Sequence, residues 1–290
     1  MPTTSALPTP DPEPIELWPE RPDSTEQASL REGHRILRNI NRPALLSHWP
    51  APGRANGQAV LVVPGGGQRF VTIDNEGHAV ARRLVDAGYA AHVLKYRVLP
   101  TFADDTRFAA EYDAFIHQVL ARPPENRGRV VEQSAAVDDA RQALRMLRGR
   151  AIGAIGAVGA VGAIGAAGPA PIQRIGFIGF SAGALIGRAL IEVPEPDALP
   201  DTLALAYGSM LPLSPESTPP ARLPPLFVMQ ADDDPLFARQ GFGLIQSWQQ
   251  ASQPVELHHY ERGGHGYGMA ARGSTSDGWF EAYLAWLARQ

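Results

Sequence analysis

The chain contains no cysteine, which excludes a disulfide framework, a thiolate nucleophile and any metal centre built on thiolates. It also lacks a run of about eighteen or more large apolar residues, so a membrane span is not expected. Lys and Arg number 26 against 30 Asp and Glu, a formal net charge of −4. No basic cluster gathers along one segment, which argues against nucleic acid or an anionic membrane surface as partner. The amino-terminal segment has neither the basic start nor the apolar run of a secretory signal, and the expected compartment is the cytoplasm.

What is present is ordinary usage for a soluble protein with a sizeable core: 44% hydrophobic and 19% charged residues over 290 positions. Residues 1–30, rich in Pro, Thr and acidic side chains, read as an irregular arm. Residues 31–290 read as a single domain. Strands are predicted at Ile36–Ile40 and Ala44–Trp49, then at Ala59–Val63, a buried β-branched run closed by Pro64-Gly65-Gly66-Gly67. A helix over Asp74–Ala87 and a strand over Ala90–Tyr96 follow, then a helix over Val137–Arg148. In the second half, strands at Ile172–Gly179, Thr202–Tyr207, Leu226–Gln230 and Val255–Tyr260 alternate with helices at Ala182–Ile191, Phe237–Gln250 and Ser276–Ala288. That alternation predicts an α/β fold with a doubly wound, mostly parallel sheet and helices on both faces. Two segments interrupt it. Residues 101–132 are an insertion with helical character at Arg107–Leu120, and residues 151–168 are a Gly/Ala-rich repeat read as a surface loop.

The sharpest local signal is Gly179-Phe180-Ser181-Ala182-Gly183 between a predicted strand and a predicted helix. A serine on such a turn exposes its hydroxyl at the sheet's carboxyl edge, where flanking glycines relieve crowding. An incidental N-capping serine in a plain βα turn is the blander reading. A hydroxyl needs a base, and His265 is the candidate among eight histidines because Gly263-Gly264 and Gly266 let it project beyond a strand's carboxyl end. The base needs a carboxylate that sets its tautomer. Asp232-Asp233-Asp234-Pro235 follows another strand end. Three adjacent acids leave the choice open; Asp234, next to Pro235, is preferred. Turn hydrogen bonds or metal binding are the other roles for Asp232 and Asp233, the metal role being disfavoured because three neighbouring carboxylates cannot all converge on one point. Gly66 and Gly67, with the N–H of Ala182, are the candidate oxyanion donors. The order Ser, Asp, His matches the chain order of α/β-hydrolases.

These residues, with Glu76-Gly77 and Leu94-Lys95-Tyr96-Arg97, resemble α/β-hydrolase esterases, particularly acetyl-xylan and related carbohydrate esterases and their prolyl-oligopeptidase-like relatives. The resemblance runs from about residue 35 to the end. It implies the α/β-hydrolase fold, Ser181 as nucleophile, Asp234 as acid, His265 as base, oxyanion glycines at Gly66–Gly67 and no metal or organic cofactor. Two departures stand out: a related subgroup has His where this chain has Pro64, and many relatives have an aromatic residue where Gln68 stands. Gln68 is the candidate substrate-binding side chain there. The implied chemistry is ester hydrolysis through an acyl-enzyme, faster as His265 becomes neutral. Between Gly208 and Leu226 the chain is short and holds six prolines, too little for a large helical cap. An open site suits a small-molecule ester with a short acyl group, acetyl above all, on a polar carrier such as a sugar. The insertion at 101–132 is the alternative source of a lid. A serine peptidase or amidase would use the same route, and a non-catalytic binding protein on the same fold is the rival of another class.

Overall fold

The computed structural model describes residues 11–18, 22–128, 131–153, 172–215, 217 and 223–290. Most of the Gly/Ala-rich tract expected as a loop at 151–168 lies outside them.

Two short strands open the described chain, β1 (Pro14–Glu16) and β2 (Gln27–Arg31), and β2 pairs antiparallel with β3 (His34–Arg38). β4 (Ala44–His48) follows, then β5 (Gln58–Val63), in which residues 59–63 are all buried. After β6 (Phe70–Val71) the chain makes a π-helical stretch, Ile73–His78, and passes into α1 (Ala79–Asp86) and β7 (Ala90–Lys95). Next come α2 (Asp105–Ala121), α3 (Ser134–Gly153), β8 (Arg174–Phe180), α4 (Ala182–Glu192) and β9 (Thr202–Ala206). The chain ends with β10 (Leu226–Ala231), α5 (Gly243–Gln250), β11 (Val255–Tyr260) and α6 (Trp279–Leu287).

The main sheet has the order β1-β4-β7-β5-β8-β9-β10-β11. β4 runs antiparallel to both neighbours, and every pairing from β7 to β11 is parallel. Strands buried this completely, such as β5, β9 and β10, are covered on both faces, as parallel strands require. From β5 the chain first adds β7 on one side, then crosses to place β8 on the other. Right-handed crossovers put α1 and α4 on opposite faces of the sheet. The crevice between the carboxyl ends of β5 and β8 is therefore the switch point where an open α/β sheet gathers its ligands.

Four local features differ from the sequence expectation. The arm at 1–30 contributes β1, which pairs with the β4 edge, and β2, which joins β3 and β6 in a second small sheet. Edge pairing stabilises such short strands, and a three-residue strand shows no periodicity. The helix expected from Asp74 starts as a π-helical stretch. The helix expected from Phe237 begins only at Gly243, because the chain turns at Gly241 with φ of 70°. The last helix is preceded by a 3-10 turn at Thr275–Gly278. Among the described residues, no helix is long and apolar enough to cross a membrane.

Candidate active site

β8 delivers its last residue into a turn too tight for ordinary backbone. Ser181 has φ of 49° and ψ of −110°, a costly conformation for a residue with a Cβ and one that persists only where the surroundings impose it. Gly183 is part of that constraint, since a Cβ there would lie 1.9 Å from the Val63 carbonyl oxygen. α4 starts at Ala182, so its first N–H groups have no acceptor within the helix.

The Ser181 Oγ lies 2.8 Å from His265 Nε2. The other ring nitrogen, Nδ1, lies 2.9 Å from Asp234 Oδ2. A carboxylate at Nδ1 assigns the neutral ring's proton to that atom and leaves Nε2 as acceptor for the serine hydroxyl. Asp234 is buried and held by three further donors: the N–H groups of Leu236 at 2.7 Å and Phe237 at 3.3 Å, and the Gln230 side-chain amide at 3.0 Å.

The acidic cluster thus divides. Asp233 accepts from the N–H groups of Gly263 at 2.9 Å and Gly264 at 2.7 Å, fixing the base of the histidine loop. Arg272 grips the same loop by donating to the Gly263 and Gly266 carbonyls at 3.1 and 3.0 Å. Asp232 is exposed, 3.8 Å from the His259 ring.

The glycine loop after β5 packs directly on Ser181: a Cβ on Gly65 would fall 2.9 Å from that of the serine. Gly66 and Gly67 have φ of 135° and 60°, so their N–H directions are ones an L-side chain rarely permits. Gln68, expected at the substrate, also has φ of 60° and is buried. Its side-chain carbonyl accepts from the Gln133 N–H at 2.5 Å and its backbone carbonyl from Leu99 N–H at 2.8 Å. It forms part of a pocket wall, but its acceptor is engaged by the protein itself. That role depends on residues 65 positions away and leaves no local trace in the sequence.

A buried carboxylate adjoins this centre. Glu76, on the π-helical stretch, accepts from Gly65 N–H at 2.7 Å and from the Tyr207 hydroxyl at 2.7 Å. Tyr207 in turn accepts from Gly268 N–H at 3.2 Å and packs edge-on against the His265 ring, centroids 5.2 Å apart. Burial pushes the Glu76 carboxyl above the usual range, opposed in part by those two donors and by the charge at His265 and Arg272. Glu76-Gly77 stood among the resembling residues without a role. π-Helical turns often mark functional sites, but nothing in the sequence announces this one.

Two pockets meet at Ser181 and His265. One, of about 390 Å³, is polar, with Arg31, Glu32, His34, Thr72, Asn75 and Arg272 on its walls. The other, of about 200 Å³, runs beneath α2. Tyr112 borders both, and burial pushes its hydroxyl up to about 12, so it stays protonated at neutral pH. The insertion at 101–132 therefore forms a wall of the site.

No family model matches the chain, and no curated protein does. Solved structures do resemble it. An acetyl ester-xyloside bifunctional hydrolase from Caldicellulosiruptor lactoaceticus is 19% identical, with 98% of each chain covered and a TM-score of 0.63. An α/β hydrolase from a Medee basin deep-sea metagenome library is 20% identical over 91% of this chain and 97% of its own, at 0.59. A thermophilic esterase of the Planctomycetes species Thermogutta terrifontis, solved with propionate bound, is 18% identical over 93% and 96%, at 0.57. At these identities the likeness is one of architecture: the chain has the α/β-hydrolase fold.

Proposed function

We propose that this protein is a serine hydrolase of carboxylic esters, with Ser181 as nucleophile, His265 as general base and Asp234 as the carboxylate that orients the ring. The observation that carries this reading is the unbroken run of hydrogen bonds from Asp234 through His265 to Ser181, set at the reversal of strand order. The naming of similar structures as an esterase and an acetyl ester-xyloside hydrolase supports it.

In the first half-reaction the Ser181 oxygen bonds to the carbonyl carbon as its proton passes to His265 Nε2. The bond from carbon to the alcohol oxygen then breaks, and the alcohol leaves with that proton. In the second half, water attacks the acyl-enzyme and gives a proton to the same nitrogen. The carbon–Ser181 bond breaks, the acid departs and the serine regains its hydrogen. The N–H groups of Ala182 and of Gly66 or Gly67 stabilise the oxyanion in both halves; one such donor is worth about 3 kcal/mol of barrier. These steps need no metal or organic cofactor. The charged and hydroxyl-bearing walls of the larger pocket suit a hydroxyl-rich alcohol such as a sugar, with a short acyl group, acetyl among them, carried on Ser181.

Hydrolysis of a chromogenic acetyl ester by the wild type and by Ser181→Ala tests the assignment. Activity should fall roughly a thousandfold or more. A variant as active as the parent would overturn it.

A further inference from the structure

We infer that the pocket beneath α2 is an acyl subsite that takes a group of about six to eight carbons or a benzoyl ring, an assignment that rests on the serine esterase reading. A dry apolar cavity of about 150 Å³ holds a benzene ring, and this pocket measures about 200 Å³. Phe115, Ile116 and Val119 of α2 face Leu185 of α4 and Leu236 and Phe237 of the acid loop across it. An acetyl group would leave most of that surface uncovered.

The division of labour between the pockets follows from the order of events. The acyl group stays on Ser181 while the alcohol departs and water arrives, so the alcohol side must be the polar, open one. Gly67 and Ala182, the proposed oxyanion donors, border the apolar pocket, which places the carbonyl at its mouth and the chain inside. Arg122, Asn126, Arg127 and Glu132 border it at the outer end of α2, and two neighbouring cations are turned to the protein. Arg127 donates to the carbonyls of Leu120 at 2.7 Å and Pro235 at 2.9 Å, and Arg69 lies over the Phe115 ring, 3.5 Å from its centroid.

The pocket is also built in advance. Arg127 ties the carboxyl end of α2 to the acid loop. At the other end Asp105 accepts from Arg38 at 2.5 Å and from Ser29 at 2.8 Å. α2 is thereby anchored to the small amino-terminal sheet and to the catalytic face at once. Substrate need not organise this wall, so burial of each added methylene is available to catalysis, at about three- to fourfold in kcat/KM per group.

The test uses glycerol monoesters from acetyl to decanoyl, assayed by proton release. In parallel, binding of acetate, hexanoate and benzoate to the full chain is followed by NMR line broadening. We expect kcat/KM to rise about tenfold or more from acetyl to hexanoyl and to decline once the chain exceeds the pocket. Hexanoate and benzoate should bind more tightly than acetate. Ile116→Trp, which fills the space, should lower the hexanoyl-to-acetyl ratio about tenfold or more, and Val119→Phe serves as a second filling variant. A profile that is flat or falls from acetyl overturns the subsite while leaving the esterase reading intact. Hexanoate binding that Ile116→Trp abolishes, with no ester cleaved, keeps the subsite as a binding pocket and defeats the esterase reading.

Discussion

At the scale of single residues, the centre rests on a buried carboxylate as well as on the three residues proposed for catalysis. Glu76 joins the glycine loop, through Gly65, to the histidine loop, through Tyr207 and Gly268. Its carboxyl is held above its ordinary value of 4.5 by burial, so its contribution to stability has a definite sign. That contribution is complete below the ordinary value, where the group is protonated in both folded and unfolded chains, and is lost as pH rises through the raised folded value. Glu76→Gln carries no such proton. The stability of the wild type relative to Glu76→Gln should therefore fall as pH rises above 4.5, measured by urea unfolding at a series of pH values. A constant difference would show that the carboxyl titrates normally. None of this was legible beforehand, because the Glu76–Tyr207 hydrogen bond spans 131 residues. The serine, the histidine and the acidic turn were legible for the opposite reason: each sits among glycines or beside a proline directly after a strand.

At the scale of elements, the turn between β8 and α4 is the most demanding joint in the molecule. Val63, the last residue of β5, presents its carbonyl where a side chain on residue 183 would go. Gly183→Ala should cost about 2–4 kcal/mol by forced displacement of packed backbone, with esterase activity falling further than stability because Ser181 moves with the joint. Thermal unfolding together with ester hydrolysis separates the two effects, and an alanine variant as stable and as active as the parent would refute the packing argument. The buried strands of the main sheet were readable as continuous apolar runs, β5 most clearly. β2 was not: in Gln27-Ala28-Ser29-Leu30-Arg31 the Leu30 side chain is among the most exposed large apolar groups, and pairing with β3 stabilises the strand without a buried face. α2 was readable as a helix within the insertion, and the insertion as a source of cover for the site; its anchoring as a fixed wall was not, since its partners come from both ends of the chain.

At the scale of the whole molecule, acid sensitivity has an identifiable source on the far edge of the sheet. His48 of β4 lies 2.9 Å from His78, ring nitrogen to ring nitrogen, and His78 lies 3.1 Å from Asp11. Burial and the neighbouring charge of His78 push His48 down to about 4, with Arg82 adding to the shift and Asp11 opposing it. A histidine lowered on folding contributes stability that is complete above its ordinary 6.5 and is lost as pH falls through the folded value. The wild type should thus weaken progressively between pH 6.5 and about 4, and His48→Gln should flatten that part of the curve. Parallel unfolding curves across this interval would place the acid sensitivity elsewhere.

Ser181, the proposed nucleophile, directly follows β8 in the middle of the sheet, while His265, its proposed base, sits on the loop beyond β11, the last strand to be made. A nascent polypeptide can thus pair most of its strands and still own no proton acceptor for Ser181. On the proposed mechanism, ester cleavage therefore waits for the carboxyl-terminal stretch to dock, and a chain cut short before His265 should lack it.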